Sequence, residues 1–123
     1  VVPVTAFREE LKNLLAGDGA KGAAAGKEYA FITNGVADFW TIGKAGAEKA
    51  AADLGVNVSV IMPSSITDQT RKVEDLLNRG TAGIAISPIN PANQGEVLAK
   101  AAAATNLITH DSDAPDSPRR VYI

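Results

Sequence analysis

Aromatic and carboxylate side chains meet in Thr33-Asn34-Gly35-Val36-Ala37-Asp38-Phe39-Trp40, a segment that holds the chain's single tryptophan. It follows the apolar run Tyr29-Ala30-Phe31-Ile32, at the place where a buried strand should pass into a helix. An indole or phenyl face left open beside a carboxylate suits a ring bearing many hydroxyls. The face covers C–H groups and the carboxylate accepts from O–H groups. The same residues fit a plainer role, in which Phe39 and Trp40 open an amphipathic helix and pack into the core. Asn90, Asp111 and Asp113 are further polar candidates, each just after a later apolar run. Asn and Asp are also the usual loop and capping residues, so each taken alone fits a structural role equally well.

His110-Asp111-Ser112-Asp113 places the only histidine among carboxylates, which raises general-base or metal chemistry. Strand alternation argues against it by turning His110 away from Asp111. A calcium loop is poorly imitated: Asp116 stands where the loop needs glycine, and Tyr122 where it needs a bidentate glutamate. Asn34-Gly35-Val36-Ala37 lacks both glycine patterns that cradle phosphate. The expectation is a binding protein with no cofactor, no metal and no catalysis.

Composition supports that class. The 123 residues are 46% hydrophobic and 21% charged, enough for one domain with a real core. Twelve basic and fourteen acidic residues form no large blocks, so no basic stripe is ready to neutralise nucleic-acid phosphates. Cysteine is absent, which removes disulfides, thiol catalysis and Cys-based zinc sites. No apolar run approaches the roughly 20 residues that span a bilayer.

The candidates need a scaffold, and the chain supplies one. From Tyr29 onward, strand and helix patterns alternate with a repeat of roughly 25 residues. Strands are predicted at Tyr29–Thr33, Val56–Met62, Gly83–Ile86 and Leu107–Thr109, with Val121-Tyr122-Ile123 beginning a fifth. Helices are predicted from Phe39 to Leu54, stopped by Gly55, and from Ile66 to a close at Gly80, with Ile66, Thr70, Val73 and Leu77 on one stripe that Leu76 widens. Asp68 with Lys72, and Asp75 with Arg79, are spaced as solvent-side ion pairs of that helix. Asn90 then Pro91 reads as the cap and first residue of a third helix ending near Ala104. A doubly wound parallel sheet in the flavodoxin-like order 2-1-3-4-5 makes strands one, three and four neighbours. Asn34, Asp38, Asn90, Asp111 and Asp113 would then converge on one sheet edge. Residues 1–28 differ from the rest: Val4, Phe7, Leu11 and Leu14 lie at helical spacing, which predicts an amphipathic helix over Thr5 to Ala16, and Gly17 to Gly26 is a Gly/Ala linker.

Three separate segments together resemble a known family: Tyr29 to Trp40, Gly83-Ile-Ala-Ile-Ser-Pro88, and Leu107-Ile-Thr-His-Asp-Ser-Asp-Ala-Pro115. They look like the amino-terminal lobe of the type I periplasmic sugar-binding proteins, the ribose- and galactose-binding group of ABC transporters. The match runs from Tyr29 to Ile123 in the family's order. It implies an α/β fold that is a single, truncated lobe of a two-lobe protein, binding a monosaccharide or related polyol and delivering it to ABC membrane subunits. It also implies a periplasmic or lipid-anchored extracytoplasmic place, with the export signal outside this chain. The same lobe occurs in effector domains of the lactose-repressor family, which is the alternative function; a small α/β enzyme or signalling domain is a more distant one.

Carried over by position, the family's aromatic pair falls on Phe39 and Trp40, as rings that sandwich or edge the sugar, and its sugar-binding Asp on Asp111. Asp38 and Asp113 would add acceptors, with Asn34 and Asn90 in the same set of loops. Ser112 follows Asp111 where ribose-type members carry Arg, and Ala37-Asp38 replaces their Asn-Pro, so ribose itself fits poorly. An isolated lobe would leave Val121-Tyr122-Ile123 unpaired, so a homo-oligomer through that edge is expected.

Overall fold

A computed structural model describes residues 26–123 of the chain. The helix expected between Thr5 and Ala16, and all of the following linker but Gly26, lie outside the described residues.

Strands β1 (Glu28–Ile32), β2 (Asn57–Ile61), β3 (Gly83–Ile86) and β4 (Asn106–Thr109) form one parallel sheet in the order β2-β1-β3-β4. Between them run α1 (Asp38–Leu54), α2 (Ile66–Asn78) and, after a 3-10 turn at Pro91–Asn93, α3 (Gly95–Ala104). The register aligns Ala30 with Ile84 and Ile84 with Leu107, so alternate apolar side chains share one face. Right-handed crossovers place α1 on one side of the sheet, and α2 and α3 together on the other. The core fills that second side: Ala30, Ile32, Ile84, Ile86 and Leu107 from the strands meet Val73, Leu76, Val97, Leu98 and Ala101 from the helices. On the first side α1 buries only Trp40 and Ala51.

The expected fifth strand appears as a parallel bridge of Tyr122 to Thr109. Thr109 N–H donates to the Val121 carbonyl at 3.1 Å, and Ile123 N–H to the Thr109 carbonyl at 3.0 Å. Val121 to Ile123 thus lies against β4, where the expected order puts it.

Local chemistry accounts for the helix ends. Gly55, at φ 69°, closes α1 in the left-handed conformation that glycine adopts without strain. Ser65 caps α2 by accepting from Asp68 N–H, while the Asp68 carboxylate reaches back to accept from Ser64 N–H at 3.0 Å. Those contacts overturn an expected ion pair. Held at the helix start, Asp68 pairs with Arg71 at 2.8 Å rather than with Lys72. The Ser64 bond and the Arg71 guanidinium keep its carboxyl below the usual range. Asp75 with Arg79 does not form either; among the described residues the other ion pair on α2 joins Glu74 to Lys100 of α3.

Two helix expectations need correction. The buried stripe of α2 runs through Gln69, Val73 and Leu76, and Ile66 is exposed. A polar side chain displaced an apolar one because its amide satisfies strand-end backbone groups that apolar packing would leave unpaired. Asn90 does not start α3 with a side-chain cap. It precedes the 3-10 turn, and α3 begins at Gly95.

Candidate functional site

The carboxyl ends of β1 and β3 meet at the point where the strand order reverses, the usual ligand position in an open parallel sheet. Asn34 follows β1, Ser87 follows β3, and His110-Asp111 follows β4. Side chains of Asn34, Ser87 and Asp111 join there in one hydrogen-bonded group. Asp111 Oδ2 accepts from Asn34 Nδ2 at 3.2 Å and from Ser87 Oγ at 3.2 Å. The Trp40 indole N–H donates to Asn34 Oδ1 at 3.0 Å.

Asp111 has φ 61°, the only non-glycine residue at positive φ among the described residues. Aspartate tolerates that region better than most residues. Its backbone is held by the segment beside β4: Asp111 N–H donates to the Ile123 carbonyl at 3.0 Å, and its own carbonyl accepts from Tyr122 O–H at 2.7 Å. The carboxylate itself remains exposed.

The aromatic pair divides into two different roles. Phe39 is 64% exposed and keeps an open face. Trp40 is only 6% exposed, so the expectation that it offers a ring face to a sugar is corrected. Its ring meets Phe31 edge-on at 6.1 Å, His110 at 5.6 Å and Phe39 at 4.9 Å, all at steep interplanar angles. Sequence spacing could not separate the two rings. Adjacent helical residues point about 100° apart, and only the position of the sheet decides which one is inside.

His110 faces inward, as alternation required. It stacks on Phe31 at 4.3 Å, and its Nε2 lies 3.1 Å from the Ile32 carbonyl, which assigns the proton to Nε2. Burial lowers its pKa, partly opposed by hydrogen bonds to the Ile32 and Ala85 carbonyls and by the Asp111 charge. A neutral, stacked imidazole is a packing group here.

Asp113 is engaged by its own loop and by β4. It accepts from Arg119 Nη2 at 2.7 Å, Thr109 Oγ1 at 2.7 Å and Ala114 N–H at 2.7 Å. The Arg119 hydrogen bonds, first among the causes, hold its carboxyl far below the usual range. With both oxygens engaged, Asp113 anchors its loop. Asn90 lines a separate cleft with Asp113, Pro91 and Asp116, apart from the Asn34–Asp111 group. Asp38 begins α1 with an exposed carboxylate, favoured by the helix N-terminus, and no hydrogen bond ties it to Asn34 or Asp111 among the described residues.

Two residues that hold this edge together were missed from sequence. Ser87 entered the sequence reading only as part of the Gly83–Pro88 segment, with no role of its own, yet its fully buried hydroxyl donates to Asp111 and accepts from Ser112 N–H at 3.3 Å. Gln69 forms the floor. Its Nε2 donates to the Thr33 and Ser87 carbonyls at 2.9 and 2.8 Å, and its Oε1 accepts from Ile89 N–H at 3.1 Å and Gln94 Nε2 at 2.7 Å. A polar residue on an otherwise apolar helical stripe, three after Ile66 and four before Val73, was the available signal.

The chain is thus a doubly wound α/β lobe with a polar group pinned at its switch point. Residues 29–123 match the family described as periplasmic binding protein domain, and the chain belongs to that family. A solute-binding protein of an ABC transporter from Burkholderia graminis, solved in complex with D-arabinose, shares 31% identity at TM-score 0.76; the alignment covers 80% of this chain and 35% of that one. A sugar-binding protein of a sugar ABC transporter from Bacillus halodurans shares 32% identity at TM-score 0.73, covering 78% and 34% of the two chains. An arabinose binding protein from Geobacillus stearothermophilus shares 28% at TM-score 0.72, covering 79% and 35%. The chain therefore spans about a third of these solved structures and corresponds to part of one lobe.

Proposed function

We propose that the protein is the substrate-binding component of a bacterial ABC sugar importer, taking up a monosaccharide or related polyol without chemical change. One observation carries the reading: the side-chain carboxyl of Asp111 is hydrogen-bonded into place at the switch point with one oxygen still unpartnered among the described residues. A sugar hydroxyl is the donor it suits, and the open face of Phe39 suits the C–H side of the ring. The sugar-binding neighbours, one of them holding D-arabinose, support the same class of ligand. On this reading a second lobe closes over the sugar by hinge motion and presents the closed form to membrane subunits outside the cytoplasm.

The test is calorimetric titration of the full-length product with D-arabinose, D-xylose, D-galactose and D-glucose, using wild type, Asp111→Asn and Phe39→Ala. Asparagine keeps the tolerance for positive φ, so folding is preserved. Its oxygen would take the two inward donors, which leaves an amide N–H₂ where the ligand needs an acceptor. Losing a charge-assisted hydrogen bond weakens binding by about 1.5–3 kcal/mol, tenfold or more. Unaltered affinity in Asp111→Asn, or no binding of any sugar by wild type, would overturn the assignment.

A further inference from the structure

The Asp111 carboxylate is oriented before any ligand arrives, by groups that the sugar does not need to touch. We propose that Trp40 and Ser87 are positioning residues for the sugar acceptor: Trp40 acting through Asn34, and Ser87 acting directly, pin Asp111 by Oδ2 so that Oδ1 alone faces the ligand. The inference rests on the sugar-binding reading above and assigns Trp40 a role behind the acceptor rather than against the sugar.

The direction of each hydrogen bond makes the clamp specific. An asparagine amide has two ends of similar shape, and which end meets a carboxylate depends on what occupies the other. Here the indole N–H, a donor only, takes Asn34 Oδ1 at 3.0 Å and leaves Nδ2 to face Asp111. Without that indole donor the amide is free to turn, and its oxygen would then oppose the carboxylate. Ser87 adds a donor from the neighbouring strand, and its hydroxyl is itself oriented by accepting from Ser112 N–H. Both donors fall on the same oxygen, Oδ2, and among the described residues Oδ1 accepts none. The Asp111 backbone cannot follow a moving side chain, because Ile123 and Tyr122 hold its N–H and C=O. Side-chain ordering that would otherwise oppose binding is already complete in the free lobe.

The experiment is a pair of double-mutant cycles on the full-length product, read as affinity for the tightest-binding sugar of the same four. Trp40→Phe removes the indole donor and keeps an aromatic ring, while Ser87→Ala removes the second donor independently. Asp111→Gly serves as the background, since glycine adopts φ 61° freely and leaves nothing to clamp. Each single variant should bind about three- to tenfold more weakly, the range expected for re-ordering one side chain. In Asp111→Gly, followed by NMR titration where affinity is low, neither should weaken binding further. A ring that touched sugar, or a change that merely loosened the lobe, would cost affinity in both backgrounds, and that additivity overturns the clamp. Full affinity in both single variants overturns it as well, while a large loss in Asp111→Asn still upholds the sugar site. Absence of sugar binding by wild type overturns both together.

Discussion

Replacing Gln69 by leucine should destabilise the protein more than any other single polar-to-apolar change beneath the site. The side chain is fully buried and makes four hydrogen bonds, so truncating its amide strands the Ile89 N–H, one donor of the Gln94 amide, and the Thr33 and Ser87 carbonyls. A stranded buried donor costs about 1–3 kcal/mol, so the two donors alone cost about 2–6 kcal/mol. Apolar burial of leucine returns about 1.5–3 kcal/mol of that. Counting the two carbonyls, a net loss of about 3 kcal/mol is expected in equilibrium urea unfolding. Gln69→Glu sharpens the test, because it keeps the shape and changes only the chemistry. A carboxylate there would face the Thr33 and Ser87 carbonyls, at the 2.9 and 2.8 Å positions where the amide now donates. Burial and those carbonyls raise its folded pKa above the ordinary value of about 4.3. The variant is therefore least penalised below about pH 4.3 and loses stability as pH rises toward the folded pKa. Leucine at wild-type stability, or a Glu penalty that does not change with pH, would refute the account of Gln69 as the floor of the site.

Three further outcomes follow from the same geometry. His110 has its folded pKa lowered by burial, so its contribution to stability is complete above the ordinary value of 6.5 and declines as pH falls below it; His110→Phe should flatten urea-measured stability as pH falls below 6.5, and an unchanged slope would remove His110 as the cause. Gly83→Ala would set a Cβ 2.8 Å from Tyr29 Cδ1, and should cost about 1–3 kcal/mol, with Tyr29→Ala relieving part of the loss; a neutral Gly83→Ala contradicts the close approach. Asp113→Ala and Arg119→Ala should each lower the melting temperature, the double variant no more than either alone, with sugar affinity retained; lost affinity at unchanged stability would return Asp113 to the ligand set.

Local pattern was enough to determine the scaffold. Alternating apolar strands with helices stopped by Gly55 and Gly80 pointed to a parallel sheet, the flavodoxin-like order supplied β2-β1-β3-β4, and the right-handed crossover then decided which face each helix covers. Each of those choices depends on neighbours in sequence or on a general chirality, so each is readable from the chain. The loops bearing Asn34 and Asp111 were legible for the same reason, because a strand's end determines which edge its loop occupies. Tertiary structure alone decided which groups on that edge belong to one another. Phe39 and Trp40 are adjacent and both aromatic, and burial against Phe31 and His110 separated the open ring from the enclosed one. Asp111 and Asp113 are two residues apart and chemically identical, and Arg119 claimed the second, leaving the first to Asn34 and Ser87. Gln69 lies on the apolar stripe of its helix, but only the fold brings strand ends from distant parts of the chain to its amide. Hydrogen-bond partners far apart in sequence are set by three-dimensional proximity, and no residue type or spacing records them.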